Sequence, residues 1–205
     1  MSDANPISSE TLEVLRKIPT QTLIDGLWVM GWPMSFIHGA KPLQAGQHMA
    51  GRAVTLRFVP HRPDLAADKP KGDQSAEYVA IELCGPEEVL VIDAMGWEYS
   101  SIGGDIKFLR MMQLKAGGLV TDGAARDSNT LKGYGFPVYA ANTTAKQGPA
   151  EFWPWQVNDA IQCGRVLVRP GDAVVGDDDG AVVVPAAAVD EVIRIAHERE
   201  EVEEV

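Results

Sequence analysis

Apolar positions recur along this chain with two different periods, and each period predicts a different element. Leu12, Leu15 and Ile18 share a helical stripe behind Ser8 and Ser9, either of which can cap the first turn, and Pro19 stops that helix. Leu23, Leu27 and Met30 make the stripe of a second helix over 22–30, closed by Gly31 and Pro33. Ala53, Val54, Leu56, Phe58 and Val59 read as a strand over 49–60, bounded by Gly51 and Pro60. Residues 60–73 mix proline, glycine and charge without an apolar period, which predicts a surface loop. Strands and helices then alternate: a helix over 74–84, a strand over 89–92, a loop through 100–104, a helix over 105–116 and a strand over 119–121. That alternation is the pattern of an α/β domain.

The last third follows another rhythm. Short apolar runs at 137–140, 164–168, 173–175 and 181–184 predict strands separated by turns. Asp177-Asp178-Asp179-Gly180 predicts one such turn, because aspartate tolerates left-handed geometry and Gly180 adopts it freely. It lacks the further ligand spacing of a calcium-binding helix–loop–helix motif. From about Ala186 a closing helix sets Val189, Val192, Ile193 and Ala196 on one stripe beside a strongly acidic one. The apolar stripe must lie either on the chain's own sheet or on a neighbouring subunit. The run Glu198, Glu200, Glu201, Glu203, Glu204 reads as a solvated helix face.

Composition narrows the partners. The 205 residues, 45% hydrophobic and 23% charged, suit one domain spanning 1–205 with its own core. A net charge of −11, from 29 acidic and 18 basic residues, argues against nucleic acid as a partner, since phosphates need a basic face. Cys84 and Cys163 lie far apart in apolar surroundings and read as buried free thiols. The start of the chain has neither a basic region nor an apolar one of the signal-peptide kind, and nothing approaches the roughly 18 apolar residues of a membrane span. A cytoplasmic protein that does not enter the membrane is the expectation.

Candidate chemistry concentrates between Ser101 and Asp127. Gly103-Gly104-Asp105-Ile106 opens a helix, whose exposed N–H groups and dipole can hold a carboxylate; the plain alternative is a helix cap by Asp105. After the strand at 119–121, Arg126 and Asp127 fall near the carboxyl end of that strand, where ligands of α/β sheets gather. Arg126 offers a fork of donors for a carboxylate or a developing oxyanion, and Asp127 is a hard oxygen ligand suited to magnesium or manganese. Side by side they could equally be a surface ion pair.

These residues carry a resemblance. Asp105, then twenty residues, then Arg126-Asp127 is the spacing of the RraA-like family, which includes 4-hydroxy-4-methyl-2-oxoglutarate (4-carboxy-4-hydroxy-2-oxoadipate) aldolases and regulators of ribonuclease E activity. The chain is similar elsewhere too, at Thr22-Leu23-Ile24-Asp25, at 49–55 and from Val168 to Gly180. The resemblance implies an α/β fold in β/β/α layers, with N-terminal helices and a C-terminal amphipathic helix, assembled as trimers or pairs of trimers. It implies a class II pyruvate aldolase that also decarboxylates oxaloacetate and uses Mg2+ or Mn2+, its substrate a small 2-oxo acid. By position, Asp127 would bind the metal, directly or through water, and Arg126 would contact substrate and stabilise the forming enolate. The 103–106 amides would receive the pyruvate carboxylate, and Asp105 would orient metal-bound water. A non-catalytic regulator that docks its acidic surface on a larger protein is the second implied role. One position departs from the aldolase motif: Thr130 stands where the family has an acidic residue.

Other chemistries find less footing. A Schiff-base lysine needs a desolvated amine, whereas Lys107 and Lys115 fall in a half-polar helix, and Lys146 has no better claim. His38, His48, His61 and His197 are scattered without a zinc-binding spacing. Trp153 and Trp155 around Pro154 could wall a pocket or simply pack.

Overall fold

The computed structural model describes residues 6–203, with side chains placed through Arg199. The expected solvated run at Glu200, Glu201, Glu203 and Glu204 lies outside the described side chains, and so do residues 1–5. In chain order the elements are α1 (Ser9–Leu15), α2 (Thr20–Val29), β1 (Lys41–Pro42), β2 (Met49–Pro60), α3 (Ala76–Glu82), β3 (Glu88–Asp93) and β4 (Ser101–Gly103). They continue with α4 (Asp105–Gln113), β5 (Gly118–Ala125), α5 (Ser128–Tyr134), β6 (Val138–Thr143) and β7 (Phe152–Val157). Last come β8 (Ile161–Cys163), β9 (Val166–Val168), β10 (Ala173–Asp177), β11 (Gly180–Val184) and α6 (Val189–Glu203).

Nine strands form one sheet in the order β1-β6-β5-β3-β2-β10-β11, with β4 beside β5 and β7 beside β2. The middle pairs β2–β3, β3–β5 and β5–β6 are parallel, and α3, α4 and α5 are their crossovers. Strand β2 is long enough to serve two neighbours along one edge, β10 over Met49–Arg52 and β7 over Leu56–Pro60.

Alternation sorts the side chains into layers. Leu90 and Ile92 of β3 join Val54, Leu56, Phe108, Met111 and Leu131 beneath α3, α4 and α5. Val89 and Val91 point the other way, onto Ile161, Cys163, Val166 and Val168 of the β8–β9 ribbon. Covered on both faces, β3 is an unbroken apolar run rather than an alternating one. The β10–β11 hairpin carries the third cluster, where Val175, Val182 and Val184 meet Leu12, Leu23, Leu27, Val189 and Val192. This is the expected β/β/α layering, and α6 lies on the chain's own hairpin and α2: Val192 Cγ1 sits 3.3 Å from where a Cβ on Gly26 would be.

Several boundaries differ from expectation, each for a local reason. Ser8, not Ser9, caps α1, accepting the Thr11 N–H at 3.2 Å. Residues 101–103, expected as loop, pair in parallel with the end of β5, which runs on through Asp122-Gly123-Ala124-Ala125. Helix α4 ends at Gln113, so Lys115 lies beyond it at a left-handed φ of 61°. The apolar run at 164–168 is the turn and second half of the β8–β9 hairpin. Helix α5 and strand β7 have no counterpart among the expected elements. In the β10–β11 turn only Gly180 has a positive φ, 141°. The aspartates act there as acceptors: Asp177 takes the Thr20 N–H and Oγ1–H, each at 2.9 Å, and so caps α2 behind Pro19, while Asp178 takes the Gly46 N–H. Both cysteines are free and buried. No helix among the described residues is long and apolar enough to cross a membrane.

Candidate active site

The site forms where β5 runs out beside the start of α4. Register with β4 places Ala125 beside Gly103, and the next N–H, that of Arg126, donates to the Gly103 carbonyl at 3.1 Å. Asp127 then turns left-handed, φ 59° and ψ 33°, a conformation that costs a non-glycine residue about 1–2 kcal/mol. That turn starts α5, and Asp127 Oδ2 accepts the Asp105 N–H at 3.2 Å and lies 3.3 Å from Arg126 Nε.

Gly104 makes this meeting possible. Its φ of −139° is open to any residue, so the constraint is space. A Cβ there would stand 2.1 Å from Asp127 Oδ2 and 2.7 Å from Arg126 Nε. The glycine pair read from the sequence as opening a helix therefore provides, at Gly104, a close approach of side chains to backbone.

All the expected site residues come together. Gly103, Gly104, Asp105, Ile106 and Arg126 line a cavity of about 330 Å³ together with Glu77 and Lys107. Arg126 and Asp127 also line a second cavity of about 580 Å³ with Thr130, Thr143 and Thr144, so Arg126 partitions the two. Thr130 thus lines the same cavity as Asp127, which is the single carboxylate on that cavity's wall among the described residues. Of the four N–H groups at 103–106, three already have partners: Gly103 donates to Ser101 Oγ, Asp105 to Asp127 and Ile106 to Asp105 Oδ1. The Gly104 N–H has none among the described residues. Arg126 and Asp127 are 38% and 37% exposed, so the pair is reachable by a solute.

Two side chains that line the smaller cavity, and one in β5 that lines neither cavity, have roles that the sequence did not assign. Glu77 and Lys107 form an ion pair on the wall of the smaller cavity. Asp122, buried within β5, accepts the Ala94, Gly96 and Gly164 N–H groups and ties the segment after β3 and the β8–β9 turn to the central strand. Burial pushes its carboxyl above the ordinary range, against the pull of those backbone donors. Spacing could not have found any of them, because their partners come from distant segments.

The other candidates disperse. Trp153 is buried, with His61 edge-on at 4.6 Å and Lys69 Nζ 4.6 Å above its ring, which is packing. No group of three or more histidine, cysteine, aspartate or glutamate side chains that could hold a metal occurs among the described residues.

Comparison with known proteins shows the family and the fold. A family model described as RraA-like, Aldolase/RraA, matches residues 20–183. A protein of Halalkalibacterium halodurans named "Putative 4-hydroxy-4-methyl-2-oxoglutarate aldolase" is 32% identical over 185 residues, 90% of this chain and 81% of that one. A crystal structure of Streptomyces coelicolor RraAS2, described as an unusual member of the RNase ES inhibitor RraA family, superposes with a TM-score of 0.87. It is 31% identical and covers 98% of this chain and 97% of its own. An uncharacterised Pseudomonas syringae protein, 23% identical, shares the fold at a TM-score of 0.84, covering 98% of this chain and 92% of its own.

Proposed function

The chain belongs to the RraA-like family, and from that premise we propose that it is a lyase acting on small 2-oxo acids, by retro-aldol cleavage of a 4-hydroxy-2-oxo acid to pyruvate, by decarboxylation of oxaloacetate, or both. The observation that carries the reading is the meeting of Arg126, Asp127 and the α4 N-terminus around Gly104, which leaves no room for a Cβ.

Both reactions break a carbon–carbon bond and leave its electron pair on the carbon next to the 2-oxo group, as an enolate. Arg126 presents fixed donors to the substrate carboxylate and to the enolate oxygen as its charge grows. The Gly104 N–H, at the positive end of α4, is the open donor for the same carboxylate. Asp105, at the first position of α4, orients the water that exchanges protons with the new carbanion carbon. Of the carboxylates here, Asp127 would hold a divalent ion: its Oδ1 makes no bond among the described residues, and magnesium binds through one or two carboxylates while keeping several waters. One aspartate with water therefore fits Mg2+ or Mn2+ and falls short of a zinc site. When bound, such an ion supplies Lewis-acid charge at the 2-oxo oxygen.

The test is pyruvate release from oxaloacetate and from several 4-hydroxy-2-oxo acids, with Mg2+ or Mn2+ and with a chelator. Turnover that the chelator abolishes is expected; background rates on every substrate would end the lyase reading. Two observations favour the second reading, a protein-binding regulator: the description of the Streptomyces relative as an RNase ES inhibitor family member, and Thr130 in the acidic position. Retention of the host's ribonuclease by the immobilised protein at low salt would support that role, and its absence would remove it. Assembly in threes is proposed on the same family premise. Ile106 on the cavity rim, with Leu109, Val79 and Leu83 exposed on the neighbouring turns of α3 and α4, supplies an apolar face for it.

A further inference from the structure

Lys107 sits where a lysine is electrostatically out of place. It is the third residue of α4, and the first turn of a helix gathers unpaired N–H groups and the positive end of the dipole, which disfavour a cation. The side chain does not escape into solvent. It is 23% exposed and folds back over the loop that precedes the helix, its Cδ 3.0 Å from where a Cβ on Gly103 would sit. Its ammonium donates to Glu77 Oε2 at 2.5 Å and to the Ile102 carbonyl at 3.4 Å. Glu77 comes from α3 and is itself only 19% exposed.

The bond from Lys107 to Ile102 closes a ring around Gly103 and Gly104, and the ion pair anchors that ring to a second helix. Inside the ring lie the Gly104 N–H and the Gly103 carbonyl that receives the Arg126 N–H. A shift of the loop would therefore move both the carboxylate donor and the root of the arginine, and a misplacement of about 1 Å can cost about 100-fold in rate. A local rule broken at a cavity wall, with a half-buried partner compensating, is the pattern of a residue kept for its geometry.

We propose that Lys107, clamped by Glu77, is a positioning residue of the candidate site: it holds the 102–105 loop so that the Gly104 amide and Arg126 converge on one substrate. The proposal rests on the lyase reading for its kinetic consequence and on loop geometry for its structural one, and the two are measured separately. In the full chain, Lys107→Met and Lys107→Arg are compared with wild type by oxaloacetate decarboxylation with Mg2+. The same proteins are compared by hydrogen exchange at the Gly103 and Arg126 amides, whose bonds run through the loop.

The methionine variant should lose about 10- to 100-fold in kcat with KM changed less than about threefold, and should exchange both amides faster. Arginine, able to reach both acceptors, should restore most of kcat. A methionine variant with wild-type kcat, a loss carried entirely by KM, or unchanged amide exchange overturns the proposal. If that variant does not fold, Glu77→Gln removes the clamp while leaving the lysine, with the same expected signs. Wild-type protein without turnover would sink the lyase reading instead; amide exchange then decides alone whether Lys107 holds the loop.

Discussion

Asp122 and Asp127 stand five residues apart on one run of chain, and the fold uses them in opposite ways. Asp122 is 4% exposed, inside β5, and its two oxygens receive three backbone N–H groups at 2.7, 3.0 and 3.2 Å. Asp127, just past the strand, is partly open, and among the described residues only its Oδ2 is in polar contact, with one N–H and the neighbouring guanidinium. A buried carboxylate saturated by main-chain donors fastens loops together. One with an oxygen to spare, at the edge of a cavity, can change partners, which is what holding an ion or steering a substrate demands. The residue type is the same; the number of committed donors and the access of solvent separate the roles.

Exchanging the two roles would break this contrast. Asp122→Ala should have the largest effect on stability, about 2 kcal/mol or more, because two buried N–H groups, those of Ala94 and Gly164, lose their acceptor at about 1–3 kcal/mol each, and the partly buried Gly96 N–H loses its own. Urea midpoints would measure it, and activity per folded molecule should stay near wild type; a variant as stable as wild type would show that the fastening is dispensable. Arg126→Ala should do the reverse, lowering kcat by about 100- to 1,000-fold while the midpoint moves by less than about 0.5 kcal/mol. A smaller effect sharpens the picture at the neighbouring cavity. Thr130→Asp, which adds an acid beside Asp127, should lower the Mg2+ concentration needed for half-maximal activity by about tenfold. No change in the titration would mean that position 130 does not touch the ion's water.

The smallest effect is in pH. Burial raises the Asp122 carboxyl above its ordinary value of 3.8, so over the interval above 3.8 the folded chain holds a proton that the unfolded chain releases. Stability from this group therefore rises as pH falls through that interval. Asp93 and Asp172 shift in the same direction for the same first cause. Asp122→Asn should have a flatter dependence of urea midpoint on pH between neutrality and 4, since one such group is removed. An identical slope in both proteins would mean that Asp122 titrates alike folded and unfolded.

Much of the site was legible in linear order. Arg126 and Asp127 read as the carboxyl end of a strand because the apolar run before them is unambiguous, and the glycine pair ahead of Asp105 marks a helix start. What went unread is instructive. Strand β4 is three residues long and exists only because β5 extends beside it. Strand β7 carries Pro154 within Phe152–Val157, a poor advertisement for a strand, and is held by its pairing with β2. Helix α5, Ser128–Tyr134, has too few apolar positions for a stripe, and among them only Leu131 is buried.

Local chemistry alone decided most of the element types, the turn at Gly180, the free thiols and the family spacing of Asp105 with Arg126-Asp127, because periods and turn residues act over a few positions. The tertiary structure decided which glycine had to lack a side chain, which aspartate became a fastener, and that a lysine on the first turn of α4 would reach back to Glu77. Those outcomes depend on distances between segments far apart in the chain, which sheet register and helix packing set and no short-range pattern encodes.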